Sequence, residues 1–220
     1  MNARALPRPC LMVVTDRTLC GGATGLVQAV SRAVAGGANV VQVREKDLPP
    51  WEQVELVRSI RSACGDRALV VLNGAPAVAL GAGAGGVHLP EEGLGVSDAR
   101  RALRGRLLVG RSVHSRASAI QAAAEGADYL VLGTVFPSRS HPGGATGGIE
   151  LVREVYAAVR CPVLAIGGIS AENAASVMAA GAAGVAVISS VLGAQDPEQA
   201  AAQLWSVLHV ANRDPVAGGI

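Results

Sequence analysis

Short runs of consecutive apolar, often β-branched residues recur along the chain, and each leads through a polar or glycine turn into an alanine-rich stretch of helical character. We count eight such runs: CLMVVTD (10–16), VVQVRE (40–45), ALVVLN (68–73), GVHLP (86–90), LLVGRSV (107–113), YLVLGTVF (129–136), PVLAIGG (162–168) and GVAVISS (184–190). Continuous rather than alternating hydrophobicity is typical of strands that are covered on both faces, as in a parallel sheet. The pattern therefore predicts eight parallel strands that alternate with helices.

This alternation predicts an α/β fold in which the strands close into a (β/α)8 TIM barrel. The 220 residues fit such a barrel, because these folds run as single domains of roughly 200 to 250 residues. A flavodoxin-like sheet is the alternative, but it would use about five strands. We expect one barrel domain over residues 1–211 and a flexible C-terminal tail over residues 212–220.

A weak internal repeat supports the barrel. Gly37, Gly83, Gly126 and Gly181 each lie shortly before an even-numbered strand. A glycine with positive φ at the end of a helix, followed by a tight turn into the next strand, explains this spacing.

The composition excludes several other classes of protein. Half of the residues are hydrophobic and 16% are charged, which rules out a disordered chain or a coiled coil. Aromatic residues make up 2% of the chain, and the arginines form no stripe, so we expect no nucleic acid partner.

The four cysteines are far apart, as in cytoplasmic proteins with free thiols. The first apolar run is too short for a signal peptide, and Gly and Asn interrupt the longer uncharged stretches, so we expect a cytoplasmic protein with no membrane segment.

The ends of the last two strands predict a phosphate site. Functional residues of such barrels lie at the C-terminal ends of the strands, which here carry Gly167-Gly168 and Ile188-Ser189. Glycine lets backbone N–H groups approach phosphate oxygens, and the N-terminus of a following helix favours negative charge. The alternative is that the two glycines only permit a tight turn.

A cationic motif follows the second strand. Alternation along Gln-Val-Arg-Glu-Lys places Gln42, Arg44 and Lys46 on one side of the chain as it leaves the barrel. Lys46 is the only lysine among the 19 basic residues. Two cations and an amide suit an anionic ligand group, although Arg44 has an alternative partner in Glu45 or Asp47.

His114 is the candidate for acid–base chemistry, because it follows the fifth strand and an unperturbed imidazole titrates near pH 6.5. A structural histidine bonded to the neighbouring loop is the alternative. His88 lies between apolar residues, and we interpret it as structural. No CxxC pair and no histidine at metal-ligand spacing occurs, so the sequence predicts no metal site.

Four motifs in this order resemble those of the thiamine phosphate synthase and TenI superfamily over nearly the whole chain. They are QVREK (42–46), GVHL (86–89), PVLAIGGIS (162–170) and GVAVISS (184–190). The resemblance implies a (β/α)8 barrel and a ligand made from thiazole phosphate, a precursor of thiamine. By analogy with other barrels, the expected assembly is a homodimer.

Two branches of this superfamily differ at the strand ends. Synthases typically have Asn-Asp after the third strand and an Asp after the fourth, and these aspartates hold the Mg²⁺ that carries a pyrimidine pyrophosphate. Here the sequence reads Asn73-Gly74 and Pro90-Glu91-Glu92-Gly93, and a loop that resembles Pro-Thr-x-Thr-Lys in synthases reads Pro137-Ser138-Arg139-Ser140-His141. Glu91 or Glu92 is the alternative metal ligand, although its spacing differs from that of the synthase aspartate. The TenI-like branch has Asn-Gly, Leu-Pro and Gly-Arg-Ser-Val-His-Ser, which occur here as Asn73-Gly74, Leu89-Pro90 and residues 110–115.

The resemblance therefore favours an isomerase, a TenI-type thiazole tautomerase that aromatises a carboxythiazole phosphate. In this hypothesis His114 moves the proton, and Arg44 and Lys46 face the carboxylate. The phosphate contacts are Gly167, Gly168, Ile188 and Ser189, and the pocket is lined by Gln42, Asn73 and Gly148. The reaction needs no cofactor. The alternatives are thiamine phosphate synthase, a transferase that joins hydroxymethylpyrimidine pyrophosphate to thiazole phosphate and uses Mg²⁺, and a noncatalytic regulator that binds a thiamine precursor.

Overall fold

The predicted strands pair in chain order and close into a barrel. The computed structural model describes residues 5–138 and 145–213. The strands are β1 (Cys10–Val14), β2 (Val40–Val43), β3 (Leu69–Asn73), β4 (Gly86–Leu89), β5 (Leu108–Val113), β6 (Tyr129–Leu132), β7 (Val163–Ile166) and β8 (Gly184–Val187). Every pairing is parallel, and β8 closes the barrel against β1 with Cys10 opposite Gly184. The predicted (β/α)8 fold is confirmed.

The helices of the described chain surround the barrel. They are α1 (Ala23–Ala35), α2 (Pro50–Cys64), α3 (Pro76–Gly81), α4 (Val96–Leu103), α5 (Arg116–Ala124), α6 (Gly148–Ala158), α7 (Ala174–Ala179), α8 (Ser189–Leu192) and α9 (Pro197–Arg213). Proline begins α2 and α3, where the missing N–H would have no partner within the helix. A capping box of Ser115 and Ser118 begins α5. A short 3-10 helix, Arg17–Cys20, precedes α1 and was not predicted.

The glycines before the even-numbered strands have the predicted backbone. Values of φ are 112° at Gly37, 69° at Gly83, 90° at Gly126 and 100° at Gly181. At Gly37 space is also limiting, because a Cβ would lie 2.6 Å from Cγ of Trp205 on α9. The internal repeat thus reflects one kind of turn, used four times.

Two apolar cores result from the alternation of side chains along each strand. In β1, Leu11 and Val13 pack with the surrounding helices, whereas Met12 and Val14 belong to a second cluster inside the barrel. Both sets are buried, which explains why the strands read as continuous apolar runs. The filled interior leaves the open C-terminal end of the barrel, which we call the mouth, as the place for chemistry.

Helix α9 ends at Arg213, so residues 212 and 213 belong to the last helix rather than to the predicted tail. Residues 214–220 lie outside the described residues. Within the described ranges, no helix has the length and apolar content that crossing a membrane requires. All four cysteines are free thiols.

Candidate active site

The strand ends bring the predicted site residues to the mouth of the barrel. Asn73 is the last residue of β3, and His114 directly follows β5. Gly167 directly follows β7, and Ile188 directly follows β8. Gly148 begins α6, where its N–H bonds the carbonyl of Val135 after β6 at 3.1 Å. Residues 139–141 of the loop after β6 lie outside the described residues.

Gln42 lies at the floor of the mouth. The residue is only 3% exposed, and its side-chain oxygen Oε1 is buried without a hydrogen-bond partner among the described residues. Leaving a buried acceptor unpaired costs about 1–3 kcal/mol. A ligand N–H or O–H would remove this deficit, so Gln42 fits the predicted binding role.

Arg44 and Lys46 follow Gln42 toward solvent. Arg44 is half-buried and Lys46 is exposed. The backbone N–H of Arg44 donates to the Thr15 hydroxyl oxygen at 2.9 Å, which ties this loop to the end of β1. Within the described chain, neither cation forms an ion pair with a carboxylate. The alternative that Arg44 pairs with Glu45 or Asp47 is wrong.

Arg17 binds both of those carboxylates instead. Its Nη1 lies 2.9 Å from Oε2 of Glu45 and 2.7 Å from Oδ1 of Asp47. The hydrogen bond from Arg17 lowers the pKa of Asp47 to about 2. Sequence reasoning missed Arg17, although the alternation that puts Arg44 and Lys46 on one side puts Glu45 and Asp47 on the other.

The loop after β7 needs glycine at two successive positions, as both the phosphate prediction and the alternative of a tight turn require. Gly167 and Gly168 have φ values of 104° and 60°. A Cβ added at Gly167 would lie 2.5 Å from Cγ2 of Thr134. A Cβ added at Gly168 would lie 2.4 Å from the carbonyl oxygen of Pro137. Asn173 closes the loop, because its side-chain amide donates to the carbonyl of Gly168 at 2.9 Å. Glycine is therefore needed at both positions, and phosphate binding stays a prediction.

His114 is held by a carboxylate. Its Nδ1 bonds Oε2 of Glu91, on the loop after β4, and its backbone N–H donates to Oε1 of the same residue at 3.1 Å. Burial raises the pKa of Glu91, but hydrogen bonds from Ser118 and His114 outweigh it, and the net pKa is lowered. The predicted alternative of a histidine bonded to a neighbouring loop thus describes the contact that the structure shows.

His88 lies inside the barrel with no exposed surface. Its Nε2 lies 2.8 Å from Oγ of Ser112, and its Nδ1 lies 3.3 Å from the phenol oxygen of Tyr129. Burial, together with the charges of Arg111 and Arg44, lowers the pKa of His88 to about 3. The ring is therefore neutral at physiological pH. Sequence reasoning missed its partners, although alternation from Leu108 places Ser112 on the inner face of β5.

The carboxylates at the mouth do not form a magnesium site. Gly74 has no side chain to offer after β3, and the Glu91 carboxylate already accepts bonds from His114 and Ser118. Among residues 5–138 and 145–213, no three His, Cys, Asp or Glu side chains group together as metal ligands. Mg²⁺ prefers several oxygen ligands, commonly one or two carboxylates. The described residues therefore do not fit the metal that the synthase branch implies.

Comparison with known proteins favours the synthase branch over the tautomerase branch. Residues 11–191 match the family model described as thiamine monophosphate synthase. A thiamine-phosphate synthase of Methanoculleus marisnigri is 45% identical over 196 residues, which cover 88% of this chain and 92% of the relative. A putative thiamine-phosphate synthase of Geobacter sulfurreducens is 41% identical over 207 residues, 93% of this chain and 96% of the relative. The solved structure of thiamine phosphate pyrophosphorylase from Pyrococcus furiosus has a TM-score of 0.83 and 35% identity, and the match covers 92% of this chain and 96% of that one.

These relatives overturn the tautomerase prediction and the isomerase class that went with it. The prediction was wrong because it gave three short motifs, Asn73-Gly74, Leu89-Pro90 and residues 110–115, more weight than the rest of the chain. Each motif covers the C-terminal end of a strand and the start of the loop that follows it, and such loops vary between proteins that share one barrel. By its family model, its relatives and its fold, the chain belongs to the thiamine monophosphate synthase family.

Proposed function

We propose that this protein is a thiamine-phosphate synthase. The enzyme would join hydroxymethylpyrimidine pyrophosphate to thiazole phosphate and release pyrophosphate. The observation that carries the proposal is 45% identity, over 88% of the chain, to a protein named for this activity. The fold supports it as well, since a phosphate-type loop and a pair of cations share one mouth.

The reaction exchanges one bond for another. The thiazole nitrogen forms a bond to the methylene carbon of the pyrimidine, the C–O bond to pyrophosphate breaks, and the bonding pair leaves with pyrophosphate. No proton transfer at the reacting atoms is required. The protein must therefore orient two substrates and stabilise a departing anion.

The mouth offers a place for each anionic group. In this proposal Gly167, Gly168, Ile188 and Ser189 hold the thiazole phosphate, because they follow β7 and β8 at the mouth, where backbone N–H groups can bind an anion. Arg44 and Lys46 face the pyrophosphate, since their charges are not used by any described carboxylate. Gln42 and Asn73 line the pocket between them, and Gly148 borders it after β6. His114 has no chemical step in this reaction.

Magnesium has no assigned place in the proposal, because the described carboxylates do not fit it. A cytoplasmic location and a homodimer also stay proposals. Sedimentation of the purified protein tests the dimer.

The test is product formation by purified protein given both substrates, with and without Mg²⁺. Thiamine phosphate is quantified after oxidation to its fluorescent thiochrome. We expect product only when both substrates are present, and at least tenfold slower turnover in Arg44→Gln. Arg160→Gln is the matched control, because Arg160 is exposed between α6 and β7, at the opposite end of the barrel. Binding of the substrates without any product would instead indicate a noncatalytic regulator.

A further inference from the structure

Arg17 connects two loops of the mouth. It lies shortly after β1, and its backbone N–H donates to both carboxylate oxygens of Glu45, at 3.2 and 3.4 Å. Its guanidinium bonds Glu45 at 2.9 Å and Asp47 at 2.7 Å. Glu45 is buried at 6% exposure, so one end of this connection lies within the fold.

The two carboxylates alternate with the two cations of the proposed pyrophosphate site. Along residues 44–47 the charges run positive, negative, positive, negative, and they cancel. Arg44 and Lys46 therefore have Glu45 and Asp47 as the nearest opposite charges in sequence. In the described structure both carboxylates bind Arg17 instead, and neither of the two cations has a carboxylate partner.

We propose that Arg17 is a positioning residue that reserves Arg44 and Lys46 for the anionic substrate by occupying Glu45 and Asp47 on the other side of the chain. The inference rests on the proposed function, which assigns those two cations to pyrophosphate. Arg17, Arg44 and Lys46 are three cations beside the two carboxylates Glu45 and Asp47, so one positive charge remains among these five residues.

The backbone of this loop is held by other groups. The Thr15 N–H donates to the carbonyl of Gln42 at 2.9 Å, and the Thr15 hydroxyl accepts from the N–H of Arg44 at 2.9 Å. Removing the Arg17 side chain therefore leaves the strand contacts in place. What changes is which cation the two carboxylates bind.

The experiment measures binding of inorganic pyrophosphate by calorimetry. We expect Arg17→Gln to weaken binding at least fivefold at low salt, because Glu45 and Asp47 become free to pair with Arg44 and Lys46. Adding Glu45→Gln and Asp47→Asn to this variant should restore affinity to within about twofold of the wild type. The glutamine keeps an acceptor for the Arg17 backbone N–H. Affinity for thiazole phosphate should not change in either variant.

The matched control is Arg32→Gln. Arg32 also contacts two carboxylates, Asp196 at 2.9 Å and Glu198 at 3.9 Å, but it joins α1 to the segment that begins α9. We expect its removal to leave pyrophosphate affinity unchanged.

Wild-type affinity in Arg17→Gln would overturn the inference. So would a triple variant that binds as weakly as Arg17→Gln, because Arg17 would then act on the ligand directly. Absence of pyrophosphate binding in the wild type would overturn it too. If Arg17→Gln does not fold, the double variant Glu45→Gln/Asp47→Asn decides, since it should bind pyrophosphate at least as tightly as the wild type and weaker binding would refute the role. Formation of thiamine phosphate is measured separately, so the proposed function can fail while this Arg17 dependence holds.

Discussion

Glu91, after β4, accepts hydrogen bonds from both the backbone and the ring of His114, after β5. A further hydrogen bond joins the same two segments, because Arg111 of β5 donates to the backbone carbonyl of Glu91 at 2.6 Å. Glu91 therefore links two neighbouring loops of the mouth rather than serving as a free carboxylate.

Glu91→Gln should destabilise the protein by about 1 kcal/mol at pH 7, since it removes the charge from these hydrogen bonds. The pKa of Glu91 is lowered in the folded protein. Its contribution is therefore present above the unfolded pKa near 4.5 and is lost as the pH falls through the folded value. Urea unfolding at pH 7 and pH 3.5 measures this difference. Glu92→Gln is the control, because Glu92 is exposed. Equal stability of Glu91→Gln and the wild type at pH 7 would contradict the linking role.

His88 should make the folded state sensitive to mild acid. Its pKa is about 3 in the barrel, mainly because burial disfavours the charged ring, against about 6.5 when unfolded. Stability from the neutral ring is therefore complete above pH 6.5 and is lost as the pH falls toward 3. Between pH 7.5 and 4.5 the wild type should lose about 3 kcal/mol more than His88→Gln. Urea unfolding at the two pH values measures the loss of stability in the wild type and in His88→Gln. An equal loss in the two proteins would show that His88 is not the titrating group.

Gly168→Ala should impair the phosphate loop specifically. The residue has φ of 60°, and an added Cβ would lie 2.4 Å from the carbonyl oxygen of Pro137. Thiazole phosphate affinity should fall at least tenfold. The control is Gly65→Ala, because Gly65 has φ of 59° and nothing within 4 Å of an added Cβ. Both variants carry a backbone penalty of roughly 1–2 kcal/mol, but Gly65→Ala should bind normally. Normal binding by Gly168→Ala would remove this loop from the site.

The barrel was predictable because each strand is covered on both faces and therefore reads as an unbroken apolar run. The position of the site was predictable from the barrel, since the topology fixes which strand ends meet. Contacts such as Arg17 with Asp47, 30 positions apart in sequence, were not predictable, because they depend on the path of two loops. The choice of activity failed for a related reason. Short motifs such as Asn73-Gly74 describe a few side chains, whereas the comparison that overturned the tautomerase prediction covers 88% of the chain.

Gly110 makes a contact inside the barrel that could not be predicted from the sequence either. A Cβ there would lie 2.1 Å from Cζ of the fully buried Tyr129 ring, which occupies the space that the glycine leaves. Gly110→Ala should therefore cost about 3 kcal/mol of stability through overpacking. Gly81→Ala, at the end of α3 with open space around it, should change stability by less than about 1 kcal/mol. Thermal unfolding of the two variants compares them, and equal melting temperatures would contradict the packing of Tyr129 on Gly110.

The proposed reaction joins two substrates and releases pyrophosphate. The most direct measurement is the ratio of thiamine phosphate formed to pyrophosphate released by the wild-type protein, followed in one reaction by mass spectrometry. For the proposed reaction we expect equal amounts of the two products, and neither product when one substrate is omitted. Pyrophosphate release without thiamine phosphate, or no product at any Mg²⁺ concentration, would contradict it.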